Sequence, residues 1–367
     1  MTLDLARLRD LPAPEPVGGT AGYLAERERC LAADPRRAAN HARWREAARG
    51  ADTVDWLPVK LDIENVSRCN FRCSMCQVSE WDKGRRARDL TLDEFTRLLD
   101  EQYGVFEIKI QGMGEPLLQR DDYFAMIRLA RARHIWVRTV TNASLLHLDD
   151  NAAKLLDSDV NEVQISIDGA TAPVFESIRK GAVFDRVVSN CKLVNGLARE
   201  RGRERTKMWT VMQRANWHQR DELVELAAEM LFPSMVFSLN LTDFGQEKWR
   251  ERNDAVTMER QFDQEEAWRL IEKGAKLGVE VRFWNVTTKY SPEAPATLCP
   301  WPWDRLYVSS DMRVVPCCIV GNPQIADLGD AADLDGVWNG EAYRAFRRDH
   351  REGRIPSYCR QCYKNEA

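Results

Sequence analysis

From residue 56 onward, short apolar or β-branched runs alternate with longer stretches that carry apolar residues at helical spacing. The short runs predict seven strands, at residues 59–65, 105–112, 135–142, 160–168, 207–213, 234–240 and 279–286. In the first of the helical stretches, Thr91 and Glu94 have the spacing of a capping box. Strands that alternate with helices of this length indicate βαβ units and a parallel sheet. Six or seven such units favour a barrel or partial barrel over a flat, doubly wound sheet.

Two flanking regions have different patterns. Residues 1–55 are rich in Ala, Arg and Glu with sparse apolar positions, which predicts a helical extension packed on the main domain, with a partner-binding segment as the alternative. Near the other end, YVSSDMRVV predicts a β-hairpin and VWNGEAYRAFRRDHREG predicts a helix. The predicted fold class is therefore α/β: a partial (β/α)6 TIM-like barrel at 56–290, with a short N-terminal helical extension at 1–55 and a small C-terminal β-hairpin/helix domain at 291–367.

Composition narrows the possible partners and compartments. A formal net charge of −4 over 367 residues gives no general reason to expect nucleic acid or an anionic membrane as a partner. No apolar run approaches the roughly 20 residues that span a bilayer, and MTLDLARLRDLPAPEP does not have the pattern of a secretory signal. Ten cysteines without an export signal favour metal binding or catalysis over disulfides, and predict a cytoplasmic protein.

Three cysteines lie within eight residues, in SRCNFRCSMCQ: Cys69, Cys73 and Cys76. Structural zinc requires four protein ligands, and only three occur locally. A disulfide uses two thiols and leaves one over. An iron–sulfur cluster held by three thiolates keeps one iron open for another ligand, and the short Cx3CxxC spacing favours this third interpretation.

A second group of cysteines occupies the C-terminal region. Cys299, Cys317, Cys359 and Cys362 lie on the predicted hairpin and in a terminal CxxC, so four thiols can close around one metal centre. Structural zinc is the alternative to an iron–sulfur cluster here. Cys318 follows a predicted ligand and points the other way if the backbone is extended there, which favours a packing role. The alternative role for the Cys318 thiol is to donate a hydrogen atom to a substrate radical.

Small and polar residues follow successive predicted strands, in QGMGEP, TNAS and SIDG. In barrels of this kind the active site lies at the carboxyl ends of the strands. Each segment alone is typical of a turn, but together with the three-cysteine stretch after the first strand they converge on one mouth.

These residues resemble the radical S-adenosylmethionine (radical SAM) superfamily over roughly residues 56–290. The Cx3CxxC motif with Phe71 inside it resembles the family signature, and Gly114-Glu115-Pro116 resembles its Gly-Gly-Glu segment, with Met113 in place of the first Gly. TNASLL and SIDGATAPVFESIRKG resemble the segments after the third and fourth strands. CPWPW, the hairpin, PCC and the final CxxC resemble the SPASM/twitch extension. Full SPASM domains carry seven cysteines and two auxiliary clusters, whereas the four cysteines here suit one.

The resemblance implies S-adenosyl-L-methionine (SAM) and two [4Fe–4S] clusters as cofactors. Cys69, Cys73 and Cys76 would hold the SAM-binding cluster, and the four C-terminal cysteines the auxiliary one. Glu115 would accept from the SAM ammonium, whereas Ser166 and Arg179 would contact its ribose or carboxylate. The implied cofactor-binding residues are Gly114, Glu115, Thr141, Asn142, Ser166, Asp168 and Arg179. The implied reductant is a flavodoxin- or ferredoxin-type electron donor.

A fully ligated auxiliary cluster can take an electron from a substrate radical, which makes the net reaction an oxidation. This arrangement resembles that of the deoxy-scyllo-inosamine dehydrogenase of aminoglycoside biosynthesis. The leading hypothesis is therefore a radical SAM oxidoreductase that acts on a sugar, aminocyclitol or nucleoside. The alternatives are a peptide maturase that crosslinks or epimerises with a separate recognition protein, a sugar epimerase or decarboxylase, and a non-catalytic zinc or scaffold protein.

Several further residues are weak candidates for catalysis. Asp304 and Asp311 could accept the proton that an alcohol oxidation releases, although Asp311 falls in a predicted turn, where Asp is common. Trp284, Trp301 and Trp303 fall near the predicted mouth, where core packing or cluster shielding is favoured over a substrate platform.

Overall fold

A computed structural model describes residues 11–47, 49–81, 88–258, 262–284 and 290–363. The strands are β1 (Lys60–Ile63), β2 (Arg72–Cys73), β3 (Glu107–Ile110), β4 (Trp136–Thr141), β5 (Glu162–Ser166), β6 (Arg179–Lys180), β7 (Thr206–Val211), β8 (Ser234–Ser238), β9 (Glu280–Trp284), β10 (Arg305–Val308), β11 (Arg313–Val315) and β12 (Gly329–Asp330). The α-helices are α1 (Gly19–Ala33), α2 (Pro35–Glu46), α3 (Leu92–Glu101), α4 (Asp121–Arg131), α5 (Asn151–Asp157), α6 (Ala172–Ile178), α7 (Phe184–Glu200), α8 (Arg220–Glu229), α9 (Glu247–Asp254), α10 (Gln264–Leu277), α11 (Trp301–Asp304), α12 (Leu334–Trp338) and α13 (Glu341–Arg351).

Within the described residues, the large sheet has the order β12-β11-β10-β1-β3-β4-β5-β7-β8-β9. Every pairing from β1 to β9 is parallel, and helices cross between the strands. Within the described residues, the strands at the two ends of this sheet, β12 and β9, do not pair with each other, so the barrel is open. The predicted α/β partial barrel is confirmed, and each of the seven predicted strands is observed, one or two residues shorter at most ends. Residues 285 and 286 of the last prediction lie outside the described residues.

The predicted C-terminal hairpin joins the barrel sheet directly, which the sequence did not indicate. β10 pairs in parallel with β1, from Lys60 opposite Arg305 to Ile63 opposite Val308, and β11 returns antiparallel to β10. The carboxyl end of β10 therefore lies at the same mouth as the carboxyl end of β1. This pairing brings the loop that carries Cys317 and Cys318 to the side of the three-cysteine loop.

The N-terminal segment lies across the opposite end of the barrel. The Tyr23 hydroxyl on α1 donates to Glu107 Oε2 at 2.6 Å, and the main-chain N–H of Val17 donates to Glu162 Oε2 at 2.8 Å. The Phe283 N–H on β9 donates to the Pro12 carbonyl. Residues 12–23 thus close the floor of the barrel and add hydrogen-bond donors to two carboxylates that also pair with Lys60 and Lys207 inside it.

Local signals account for individual helix ends. The capping box of α3 is formed as predicted, because the Thr91 hydroxyl accepts from the Glu94 N–H and Glu94 accepts in return. The single helix predicted at 337–353 is wrong, since α12 and α13 are separate and meet at Gly340. A Cβ on Gly340 would lie 2.4 Å from the Gly336 carbonyl oxygen, so this close approach requires glycine. None of the described helices has the length and apolar character needed to cross a bilayer.

Candidate active site

The three-cysteine loop follows β1 and reaches β2. The Cys76 N–H donates to the Cys73 carbonyl at 3.1 Å, and the Ser74 N–H donates to the Ile178 carbonyl, which ties the loop to the end of α6. Burial raises the pKa of Cys69, and the neighbouring Cys73 and Cys76 raise it further. The three thiols are therefore close enough to repel one another as thiolates, and a bound cation is what would hold them in that form.

The loop after β3 passes directly beneath the cysteine loop at Gly114. A Cβ on this residue would lie 2.2 Å from the Val66 carbonyl oxygen and 2.5 Å from that of Arg68. The Glu115 N–H donates to the Arg68 carbonyl at 2.9 Å. Only glycine permits this approach, which sets the position of Glu115 relative to the cysteines. Met113, at the departure from the family pattern, donates its N–H to Glu64 Oε1 at 2.9 Å.

Glu115 is a buried carboxyl group held by the end of β4. Its Oε1 accepts from the Thr141 hydroxyl at 2.6 Å, and its Oε2 accepts from the Asn142 N–H at 2.8 Å. Burial raises the pKa of Glu115 to about 7, although these hydrogen bonds oppose the shift. A cationic ligand beside this carboxylate would supply the charge compensation that the described side chains provide only in part.

Asn70, which the sequence analysis missed, connects the predicted residue Asn142 to the cysteine loop. Asn142 Nδ2 donates to Asn70 Oδ1 at 3.0 Å and lies 4.0 Å from Cys69 Sγ. Asn70 in turn donates to the Ser144 hydroxyl at 2.8 Å. Asn70 lies inside the Cx3CxxC motif, between Cys69 and Cys73, and this position is the feature of the sequence from which its place in the site could have been predicted.

Asp168 and Arg179 form a buried ion pair on the other side of the cysteines. Asp168 Oδ2 lies 2.6 Å from Arg179 Nη2, and Asp168 Oδ1 accepts from the Val211 N–H at 2.8 Å. Arg179 Nη1 also lies 4.0 Å from Cys73 Sγ. Burial acts to lower the pKa of Arg179, but Asp168 and the Cys73 thiol outweigh it and the pKa is raised. The guanidinium thus remains a fixed positive charge next to the thiols.

Ser166 faces the barrel interior together with two tryptophans. It pairs with Trp209 across β5 and β7, and Ser238 pairs with Trp284 across β8 and β9. Paired residues in a sheet point to the same face, and the two indole rings lie 6.2 Å apart between centroids. Trp284 is 38% exposed, so this part of the interior is an open aromatic wall and not a closed core.

The four C-terminal thiols line one cavity. Cys299, Cys317, Cys359 and Cys362 all line it, with Tyr358 and Tyr363 among their aromatic neighbours. Burial raises the pKa of Cys317 and Cys359 well above the ordinary thiol value, and the neighbouring cysteines of the set raise both further. The terminal CxxC is fixed because Gln361 Nε2 donates to the Leu241 carbonyl at 2.6 Å.

Cys318 lies outside the lining of that cavity. It is close enough to Lys109 and Arg305 to favour their charged forms, which places it on the barrel side of the loop. Arg305 lies 3.8 Å from Asp62 and its guanidinium lies 4.7 Å from the centroid of Trp301. Among the described residues, Lys109 has no carboxylate within ion-pair distance, and burial lowers its pKa.

The two candidate proton acceptors lie at different ends of the barrel. Asp304 precedes β10 at the floor, where Oδ1 accepts from Trp44 Nε1 at 2.9 Å, so the structure does not bring it to the cysteines. Asp311 lies in the turn after β10 and accepts from the Ser309 hydroxyl at 2.6 Å. Trp303 is buried and donates to the Ala51 carbonyl, which is a packing role.

Both cysteine sites fit iron–sulfur clusters. All seven cysteines are free thiols of intermediate exposure. Within the described part of the chain, no three His, Cys, Asp or Glu side chains lie close enough to hold a single metal ion. Three thiols at one site and four at the other match the numbers of thiolates that an open and a fully ligated [4Fe–4S] cluster take from the protein.

Comparison with known proteins gives a family match for each of the two cysteine-containing regions. The Radical SAM superfamily matches residues 65–227, and the SPASM iron–sulfur cluster-binding domain matches residues 299–363. The mycofactocin maturase of Mycolicibacterium smegmatis is 30% identical over 66% of this chain and 59% of its own length. The PqqA peptide cyclase of Bradyrhizobium diazoefficiens is 24% identical over 83% of this chain and 79% of its own length.

A solved structure shows the same fold. SuiB of Streptococcus suis bound to S-adenosylmethionine superposes with a TM-score of 0.60 at 16% identity, over 79% of this chain and 68% of SuiB. This chain spans somewhat more than half the length of the mycofactocin maturases that it matches. The predicted cofactors, SAM with a [4Fe–4S] cluster and an auxiliary iron–sulfur site, agree with both family matches. The chain therefore contains a radical SAM domain, followed by an iron–sulfur cluster-binding SPASM domain.

Proposed function

We propose that this protein modifies a peptide by SAM-dependent radical chemistry. The observation that carries the proposal is the similarity to the PqqA peptide cyclase, which extends over 83% of this chain and 79% of that enzyme. The similarity to mycofactocin maturase supports the same substrate class. A peptide therefore replaces the sugar, aminocyclitol or nucleoside of the leading hypothesis as the proposed substrate, and peptide modification was one of the alternatives that the sequence allowed.

When bound, SAM and the open [4Fe–4S] cluster supply a 5′-deoxyadenosyl radical that abstracts hydrogen from the substrate. Cys69, Cys73 and Cys76 hold the cluster at the mouth of the barrel. Glu115 binds the SAM ammonium, because its buried carboxyl group needs a cationic partner to ionise fully. Thr141 and Asn142 orient Glu115 through their two short hydrogen bonds.

The other predicted contacts act through charge and shape. Arg179 offers its guanidinium to the SAM carboxylate, and Asp168 fixes that guanidinium by the 2.6 Å ion pair. Ser166 contacts the ribose from the interior face of β5, where the residue is partly exposed. Gly114 leaves the space that the cysteine loop occupies. Asp168 is thus a positioning residue in this proposal.

The substrate occupies the barrel interior beyond the SAM site. Trp209 and Trp284 provide an apolar wall, and Lys109 with Arg305 provides a positive one. Such a space suits a peptide side chain or terminus that combines an apolar body with a negative group. Cys318 borders the positive wall. If the reaction is an epimerisation, its thiol is the candidate that would donate a hydrogen atom to the substrate radical.

The auxiliary site supports an oxidative outcome such as crosslinking. Cys299, Cys317, Cys359 and Cys362 supply a complete set of four thiolates, so a cluster there has no open position for substrate. When bound to these four thiols, such a cluster would supply one-electron chemistry and would take up the electron that an oxidised substrate gives up. An electron-accepting cluster would also suit the dehydrogenation of a sugar or aminocyclitol. The specific resemblance to the aminocyclitol dehydrogenase stays a prediction.

Three organisational features belong to the same proposal. The domain boundaries 1–55, 56–290 and 291–367 stay a prediction, and the two family matches lie inside the second and third. We place the protein in the cytoplasm because free thiols and iron–sulfur ligands persist in a reducing compartment. A separate protein that binds the precursor peptide would present the substrate to the mouth.

The experiment compares substrate classes under one condition. The anaerobically purified protein is incubated with SAM and dithionite, together with peptides encoded by short reading frames beside its gene or with a panel of sugars and aminocyclitols. We expect 5′-deoxyadenosine to rise above the substrate-free level only with a peptide, together with a mass change in that peptide. The C69A/C73A/C76A variant is the matched control and should give neither product.

Two outcomes would overturn the proposal. A sugar or aminocyclitol that alone stimulates 5′-deoxyadenosine and yields an oxidised product would restore the small-metabolite hypothesis. A colourless protein that contains two zinc ions and no iron would instead support a scaffold role.

A further inference from the structure

Charged side chains of alternating sign line the barrel interior near its floor. Lys60 Nζ lies 2.8 Å from Glu107 Oε2, and Arg138 Nε lies 3.2 Å from Glu162 Oε1. On the other side of Glu162, Lys207 Nζ lies 3.3 Å from Oε2. These five residues lie on β1, β3, β4, β5 and β7, which are neighbours in this order in the sheet. Each cation of this row therefore has a carboxylate partner.

Lys109, on β3, is an interior cation without such a partner. It lies opposite Asp62 on β1 and opposite Arg138 on β4. Asp62 is the acidic residue beside it, but this carboxylate lies 3.8 Å from the guanidinium of Arg305. Among the residues that the structure describes, the Lys109 ammonium has neither a carboxylate within ion-pair distance nor a hydrogen-bond acceptor. One positive charge inside the barrel is thus left uncompensated.

The groups around Lys109 compensate its charge only in part. Burial lowers its pKa, whereas the nearby Cys318 thiol and Asp62 favour the charged form. Glu64, which follows β1, is engaged nearer the mouth, where its carboxylate accepts from two main-chain N–H groups. Lys109 is nevertheless partly exposed inside the barrel, so a space adjoins it. A charge in such a place is unfavourable unless a ligand supplies the opposite charge.

The route to Lys109 limits which ligand can supply that charge. Residues 12–23 close the floor of the barrel, so a ligand enters from the mouth and ends at Lys109. A peptide cannot pass through such a space, and it can insert only a side chain or a chain end. One uncompensated ammonium matches the single charge of a carboxylate, whereas a phosphate group carries about two negative charges at neutral pH.

We propose that Lys109 is a specificity-determining residue that binds one carboxylate of the substrate inside the barrel. The inference rests on the proposed function for the kind of substrate, and it names the group that the peptide must carry: an Asp or Glu side chain or the C-terminal carboxylate. Trp209 and Trp284 would cover the apolar part of the inserted group. Arg305 borders the site, but Asp62 already partners its guanidinium.

The first test measures the binding of a small probe and needs no peptide. The probe is hydrocinnamate, which carries a phenyl ring and one carboxylate, and its matched control is the neutral hydrocinnamamide. Isothermal titration calorimetry is performed anaerobically at neutral pH on the iron-loaded, oxidised protein with saturating SAM, so that the SAM carboxylate occupies Arg179. We expect the acid to bind the wild-type protein about tenfold more tightly than the amide.

Variants of Lys109 separate the binding role from a structural one. K109M keeps a side chain of similar length without its charge, so it should bind the acid and the amide equally. K109R keeps the positive charge and should keep most of the preference for the acid. Lys276 is an exposed cation outside the barrel, and K276M should bind both probes like wild type. Iron content is measured for each variant, and K109Q replaces K109M if that variant loads less iron than wild type.

The second test identifies the source of the carboxylate in a peptide substrate. The peptide is compared with its C-terminal amide and with versions in which each Asp or Glu in turn is replaced by Asn or Gln. We expect one of these changes to raise KM about tenfold or more for the wild-type enzyme, and K109M to have a similarly raised KM for the unchanged peptide. A response to the amide assigns the chain end, and a response to one replacement assigns that side chain.

Equal affinity of the wild-type protein for the acid and the amide, including no binding of either, would contradict the role of Lys109. A preference for the acid that persists in K109M would contradict it as well. Failure of every peptide as a substrate, together with acid binding that depends on Lys109, would reject the proposed function and leave the carboxylate site in place.

Discussion

Gln77 donates a 3.1 Å hydrogen bond from Nε2 to the main-chain carbonyl of Val320. Gln77 directly follows Cys76, and Val320 lies three residues after Cys317, so one buried amide joins the two cysteine loops. Its Oε1 accepts from Gln246 Nε2 at 2.8 Å, which adds the loop before α9 to the same network. Because the amide is buried, water cannot replace these bonds, and the relative position of the two proposed clusters depends on them.

Replacing Gln77 by Ala should destabilise the folded protein by about 1–3 kcal/mol, because the Val320 carbonyl and the Gln246 amide lose a partner in a buried place. Urea unfolding of the iron-loaded protein measures the change. Gln324 is exposed, and Q324A should stay within about 0.5 kcal/mol of wild type. Equal effects of the two variants would show that the link between the loops carries no stability.

SAM affinity should depend on the protonation of Glu115. The folded pKa is raised to about 7, so below that pH the carboxyl group is neutral and must lose a proton before it can pair with an ammonium. We expect SAM affinity to fall by about tenfold per pH unit below 7 and to level off above it. Equilibrium dialysis at several pH values between 6 and 8, about one unit either side of the Glu115 pKa, measures the SAM affinity. The E115Q variant should bind SAM weakly at every pH, and a wild-type pH profile in that variant would contradict the assignment.

Replacing Asp168 by Asn should cost about 3–5 kcal/mol of folding free energy, because it leaves the buried Arg179 guanidinium without its counter-charge. Chemical unfolding of the iron-loaded protein is the measurement. The pair between Arg68 and Asp89 is much more exposed, so D89N should cost no more than about 1 kcal/mol. A D168N variant as stable as D89N would mean that Arg179 finds compensation elsewhere.

The iron content should divide between the two cysteine sets. Two [4Fe–4S] clusters give about eight irons per chain, and C69A/C73A/C76A should retain about four of them while losing SAM cleavage. Replacing Cys317 and Cys359 should also leave about four irons, with SAM cleavage retained. Cys318 lies outside the cavity that the other C-terminal thiols line, so C318A should keep all the iron. Loss of half the iron from C318A would place it among the ligands.

Local sequence patterns were sufficient for much of the fold and for part of the candidate site. The seven strands were found because buried parallel strands are short apolar runs, and the α3 capping box was found because its two residues are only three apart. Gly340 was overlooked as a break between two helices, since its close contact with Gly336 becomes visible only in the folded chain. Asn70, Gln77 and Lys109 were missed because single polar residues carry no periodic signal.

The sequence by itself determined the αβ alternation, the three-thiol motif and the succession of small and polar residues at the strand ends, because each depends on residues close together in the chain. Only the tertiary structure decided that β10 pairs with β1 and that Gln77 reaches Val320. These relationships join residues more than a hundred positions apart. They follow from which surfaces meet when the barrel forms, and no local periodicity encodes that choice.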